Sequence, residues 1–277
     1  MSAEQNRPRD DNDSGKAGIE SLLPVDDYIE EVSVNGRKER HRGIYLLPNL
    51  FTTGALFAGF YAVVAGMHNR FETAAIAIFI AMVFDGLDGR VARLTNTQSK
   101  FGAEYDSLSD MVSFGVAPAL VMFSWALGEL GKLGWIVAFI YVACAALRLA
   151  RFNTQIDTAD KNFFSGLASP AAAAVVAGTV WVCAEAGWVG EALPQPMALL
   201  AGCLTALAGF LMISSLKYHS FKGFDLRGRV PFVVLLLIVI GYGIIMLDPP
   251  SVLLTGFLVY ALSGPARALF GKLRGHA

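Results

Sequence analysis

Charge is scarce in this chain. Asp, Glu, Lys and Arg make up 16% of its 277 residues, where a water-soluble domain usually carries about 25%. Together with 55% hydrophobic residues, that shortage excludes a disordered protein and argues against a soluble globular enzyme. Cysteine is nearly missing. Cys144, Cys183 and Cys203 each sit alone inside an apolar run, so there is no disulfide framework and no pair at redox or metal spacing. Histidine is as sparse, and His41, His68, His219 and His276 form no constellation. The N-terminus lacks a basic segment followed by an apolar one, so no cleavable signal is expected. What abounds is apolar sequence in long runs, the composition of a polytopic membrane protein.

A helix needs about 20 apolar residues to cross the hydrocarbon core. Eight stretches qualify, near 48–67, 72–93, 106–127, 133–152, 168–187, 196–215, 230–247 and 251–270. Asp248-Pro249-Pro250 separates the last two, since proline stops a helix. If both termini are cytoplasmic, seventeen Lys and Arg flank the inner ends and only Arg70 and Lys132 face outward, as the positive-inside rule requires. The expected fold is therefore an all-α polytopic membrane protein with eight transmembrane helices, both ends inside. No internal repeat points to a transporter's inverted halves. Residues 1–31 hold nine acids and three bases, so residues 1–43 read as a polar, acidic, partly disordered cytoplasmic tail. A short amphipathic helix is expected within Gly18–Val34.

Four carboxylates stand where a membrane disfavours them. Asp85 and Asp88 are three apart, about 60° on a helix, and Asp106 and Asp110 are four apart, about 40°. Each pair thus shares a face, and the polar segment between them lets the two helices form an antiparallel hairpin with both acidic faces meeting. A mid-membrane Asp costs about 3 kcal/mol, so four cost at most about 12 kcal/mol. A cation must offset this. One Arg per pair would serve, but converging acidic oxygens better match a hard divalent ion that bridges to substrate phosphate oxygens, such as Mg2+. Gly86 and Gly89 sit among the acids and Gly102 lies one turn before Asp106. Glycine costs about 1 kcal/mol in a helix, so something is expected to approach the backbone closely. Ala92 keeps that face small, and Arg93 is placed to reach a phosphate.

These residues resemble the CDP-alcohol phosphotransferase signature, D-x-x-D-G-x-x-A-R, eight residues, then G-x-x-x-D-x-x-x-D. Every element is present as Asp85, Asp88, Gly89, Ala92, Arg93, Gly102, Asp106 and Asp110. The resemblance implies a six-helix catalytic core, here residues 44–229, often dimeric, with residues 230–277 as two further helices and a short basic tail. It implies that Mg2+ or Mn2+ holds the diphosphate of a CDP-linked lipid while an alcohol displaces CMP. Asp85, Asp88 and Asp106 would be metal ligands. Asp110 would be the general base and a further metal contact. Asp88, Gly89, Ala92, Arg93 and Gly102 would line the cytidine diphosphate site.

Further stretches are similar to the phosphatidylserine synthase branch of that family: Pro48–Thr52, Met111–Pro118, Arg148–Asn153, Phe164–Pro170 and Lys217–Lys222. Ala168 departs from the branch, which commonly has proline there. The implied substrates are CDP-diacylglycerol and L-serine. The same chemistry with glycerol 3-phosphate, inositol or choline is the alternative; intramembrane prenyl transfer and ion-coupled transport are remote ones. The implied place is the inner cell membrane, in contact with the bilayer, with the active site facing the cytoplasm and no nucleic-acid partner. Serine is a zwitterion and its carboxylate needs a cation. Arg148 and Arg151, side by side at three residues apart, are expected with Asn153, Lys217 and Lys222 to bind the acceptor or the lipid phosphate.

Overall fold

The computed structural model describes residues 29–34, 37–42, 46–95, 97, 99–154, 163–219 and 232–274. Over these residues the chain is mainly a helical bundle. A hairpin of β1 (Ile29–Val34) and β2 (Arg37–Arg42) precedes α1 (Leu46–Met67) and α2 (Phe71–Thr95). α3 (Lys100–Asp110) runs through a π-helical turn, Met111–Val116, into α4 (Ala117–Trp125). Then come α5 (Lys132–Thr154), β3 (Phe163–Ser165), α6 (Ser169–Glu185), α7 (Gln195–Ile213), β4 (Lys217–His219), α8 (Phe232–Leu247) and α9 (Pro249–Arg274). β3 pairs antiparallel with β4, Ser165 opposite Lys217.

Each of the eight expected spans coincides with helix, the third being α3, the π turn and α4 in line. Among the described residues, five rods are long and apolar enough to cross a membrane: Leu47–Met67, Lys100–Trp125, Lys132–Thr154, Gln195–Ile213 and Pro249–Leu269. α6 and the apolar part of α8 are shorter, and α2 carries Asp85, Asp88, Arg90 and Arg93 in its C-terminal half. Two local expectations need correction. Ile29–Val34 is a strand paired with Arg37–Arg42, not part of an amphipathic helix; residues 18–28 lie outside the described residues. α3 begins at Lys100 and not at 106, because Ser99 caps it.

Small side chains make the core. Ala55, Ala58, Ala62 and Ala65 form a buried stripe on α1, and α1 packs along α2, which buries Ala74, Ala75, Ala77 and Ala81. Lipid tails are as apolar as any side chain, so close backbone approach has to supply the attraction between helices. α6 goes further. Ala171 through Gly178 are all buried, with α2, α4, α7 and α9 around them.

Two prolines are answered by two tyrosines. Pro118 has no N–H to give to the π turn before it, in which Phe114 lies. The fully buried Tyr141 of α5 donates its hydroxyl to the Phe114 carbonyl at 3.0 Å. Pro265, inside α9, likewise has no N–H for the Ala261 carbonyl. The fully buried Tyr218 of β4 donates to it at 2.9 Å. A Cβ on Gly264 would lie 2.4 Å from the Tyr218 ring, so only glycine lets that ring seat against α9.

Candidate active site

The acidic residues end up on one hairpin. Asp85 and Asp88 lie in the C-terminal half of α2, Asp106 and Asp110 in the last turns of α3, and residues 96–99 connect the helices. The Ser99 hydroxyl oxygen accepts from the Gly102 N–H at 2.9 Å, which fixes where α3 starts. A Cβ on Gly102 would stand 3.1 Å from that hydroxyl oxygen and 3.6 Å from Asn49 Oδ1. The cap and its neighbour therefore supply a local reason for glycine, beside any ligand.

α1 holds this hairpin in place. The Ser109 hydroxyl donates to the Thr52 carbonyl at 3.1 Å, and the Ser113 hydroxyl to the Ala55 carbonyl at 3.0 Å. A Cβ on Gly59 would lie 2.5 Å from Ser113 Oγ and 2.7 Å from its Cα, so α1 lies directly against the π turn that follows Asp110. Thr52 itself donates its hydroxyl to Asp88 Oδ2 at 2.9 Å. Asp88 is 5% exposed and Thr52 is buried with it. The orienting role of Thr52 was not assigned from sequence. Its only signal there is a hydroxyl in an apolar helix, inside the Pro48–Thr52 stretch.

Asp85, Asp88 and Asp106 each offer a carboxylate oxygen within 4.8 Å of the others. Like charges about 5 Å apart repel by about 3 kcal/mol per pair at an effective dielectric of about 20. Holding three of them together calls for a counter-cation. Mg–O bonds of about 2.1 Å place octahedral ligand oxygens up to about 4.2 Å apart, so a small inward rotation lets these side chains hold the ion. The donor set, all hard oxygen, fits Mg2+ or Mn2+. Asp110 is not in this triangle. It lies in hydrogen-bonding contact with Asp85 and within electrostatic reach of Asp106 and Arg148.

Around the triangle, Arg93 is exposed and folds back along α2, with Nη1 3.8 Å from where a Gly89 Cβ would be. Ala92 is half-buried beside it. Gly86 faces open space, with nothing within 4 Å of a Cβ placed there. This leaves room for a group larger than a metal ion along the last turns of α2.

Of the expected acceptor residues, Arg148 is the one brought to the acids. It is half-buried and donates to Ser169 Oγ at 2.6 Å, within electrostatic reach of Asp110, Tyr260, Tyr141 and Asp85. Asn153 donates to Ser107 Oγ at 3.0 Å and so ties α5 to α3. Arg151 is half-buried one turn beyond Arg148, Lys217 is exposed on β4, and Lys222 lies outside the described residues.

The sequence model of the CDP-alcohol phosphatidyltransferase family matches residues 45–214. Among curated proteins, the CDP-diacylglycerol–serine O-phosphatidyltransferase of Helicobacter pylori (strain ATCC 700392 / 26695) is 36% identical over 220 residues, 79% of this chain and 90% of that protein. Proteins of the same name from Methanocaldococcus jannaschii and Saccharomyces cerevisiae are 40% identical over 144 residues and 38% over 152. They cover 52% and 50% of this chain, and 62% and 54% of their own. The matched segment contains the whole acidic hairpin and Arg148, and on this ground the chain belongs to the CDP-alcohol phosphatidyltransferase family.

Proposed function

We propose that this protein is a phosphatidylserine synthase, transferring the phosphatidyl group of CDP-diacylglycerol to L-serine. The observation that carries the reading is the convergence of Asp85, Asp88 and Asp106 within 4.8 Å, with Asp110 alongside. Asp85, Asp88 and Asp106 would hold a divalent ion, which when bound neutralises the diphosphate and the departing CMP. Gly89, Ala92, Arg93 and Gly102 would line the cytidine diphosphate, with the Arg93 guanidinium on a phosphate. Asp110 takes the proton of the serine hydroxyl. That oxygen forms a bond to the phosphorus bearing diacylglycerol, the bridging P–O bond breaks, and CMP leaves with the electron pair. Arg148 binds the serine carboxylate. A carboxylate held there brings the serine hydroxyl, two carbons away, toward Asp110. The eight helices would span an inner membrane with both termini and the acidic hairpin on the cytoplasmic side, residues 44–229 forming the core and a dimer the working unit.

The test is purified protein with CDP-diacylglycerol, Mg2+ or Mn2+, and a panel of alcohols: serine, glycerol 3-phosphate, inositol and choline. Cation-dependent CMP release with serine alone supports the reading. Asp110→Asn should lose about 100-fold or more in turnover while still binding CDP-diacylglycerol. Full turnover in that variant would remove Asp110 from the role of base.

A further inference from the structure

Three contacts fix how α5 lies along the third span. The Tyr141 hydroxyl reaches the Phe114 carbonyl at 3.0 Å. Ala145 Cβ stands 3.3 Å from where a Gly115 Cβ would be, and Asn153 donates to Ser107 Oγ at 3.0 Å. Climbing α5 therefore means descending the π turn and α3. Arg148 falls between Ala145 and Asn153, opposite the stretch that holds Asp110. It also follows Tyr141 by seven residues, nearly two full turns, and so shares its face.

There the Arg148 guanidinium donates from Nη1 to Ser169 Oγ at 2.6 Å. Ser169 is fully buried at the start of α6, and a fastened loop brings it to this place. β3 pairs with β4. Just after β3, Gly166 donates its N–H to the Leu216 carbonyl at 2.8 Å, and Leu167 donates to the Leu211 carbonyl at 2.9 Å. Gly166 has φ 84°, and a Cβ there would run into the Met212 carbonyl oxygen, so the bend requires glycine. The buried Leu167 side chain seals it. The loop is thus tied to the end of α7 and to the residue before β4, and it offers the Ser169 hydroxyl at a fixed point.

A guanidinium carries five N–H groups in a rigid planar fork. Binding a carboxylate with two parallel hydrogen bonds depends on how that plane is turned. A free arginine has many rotamers, and each one lost on binding costs affinity. A short bond from one end of the fork to an immobile oxygen removes that freedom beforehand and leaves the other N–H groups for a ligand. We propose that Ser169 is a positioning residue for Arg148: its hydroxyl fixes the plane of the guanidinium, so that the loop at residues 163–168 sets the affinity for an acceptor alcohol bearing an anionic group. This deepens the serine reading and rests on it.

The experiment compares full-length wild type and Ser169→Ala, varying serine at saturating CDP-diacylglycerol and the reverse. The expected result is a serine KM raised about five- to tenfold, the scale of one lost hydrogen bond, with the CDP-diacylglycerol KM and kcat within about twofold of wild type. A second readout is the serine-dependent rise in unfolding temperature with metal and CDP-diacylglycerol present, which should shrink in the variant even if turnover is weak. An unchanged serine KM and thermal shift would overturn the proposal. So would a variant that does not fold, or one that loses kcat and both KM values together, since the hydroxyl would then serve the fold and not the acceptor. If wild type uses glycerol 3-phosphate and not serine, the serine reading fails, and the same comparison with that alcohol decides the role of Ser169: a selective KM rise sustains it and no rise ends it. Turnover only with inositol or choline, which carry no anionic group, would end both.

Discussion

The Thr52 hydroxyl stands 3.2 Å from the Pro48 carbonyl oxygen and donates more closely, at 2.9 Å, to the Asp88 carboxylate. That bond fixes which Asp88 oxygen remains for a cation, and it comes from a helix that carries none of the proposed ligands. Partners of metal ligands typically matter by about 10- to 100-fold in metal affinity or activity. Thr52→Val keeps the shape and removes the bond. It should raise the Mg2+ or Mn2+ concentration needed for half-maximal CMP release by about tenfold, with little change at saturating metal. A metal titration of the variant checks this; an unmoved midpoint would leave Thr52 as packing only. Ala168 shows how a departure from a family pattern can be harmless. Its φ of −61° is the value a proline ring would impose, so the chain keeps the bend before Ser169 without it.

At the scale of elements, the paired proline–tyrosine contacts carry a clear expectation. Tyr141→Phe strands the Phe114 carbonyl and Tyr218→Phe strands that of Ala261. An unsatisfied buried acceptor costs about 1–3 kcal/mol, so each variant should unfold at lower temperature in detergent. The first should also disturb turnover, since Phe114 lies in the π turn directly after Asp110. Equal unfolding temperatures for both variants and wild type would show that water or lipid serves as well. The sequence made the helices legible because long apolar runs are written locally, and it made the four acids legible because they cluster within one hairpin. It did not reveal the π turn, the β3–β4 pairing or the seating of Tyr218 on α9. Those depend on residues such as Ser165 and Lys217, or Tyr218 and Ala261, that are distant in the chain and meet only after packing. The start of α3 was misplaced for a related reason. Lys100–Tyr105 is polar, and only the Ser99 cap marks it as helix.

For the whole molecule, the charge distribution and the bundle give one expectation together. Arg70 closes the turn between α1 and α2, and Lys132 opens α5, at the end of the bundle away from the acids. A maleimide that cannot cross a bilayer should label a cysteine placed at Asn69 in intact cells. It should reach cysteines placed near either terminus only after lysis. Labelling of all three from outside would refute the arrangement with both ends inside.

The order in which the ribosome releases these helices has its own consequence. The acidic hairpin and α1 are finished early, so a half-made chain already carries the proposed cation ligands. Arg148 follows later, on α5. The residues proposed to take the nucleotide lipid are thus made before the arginine proposed to take the acceptor.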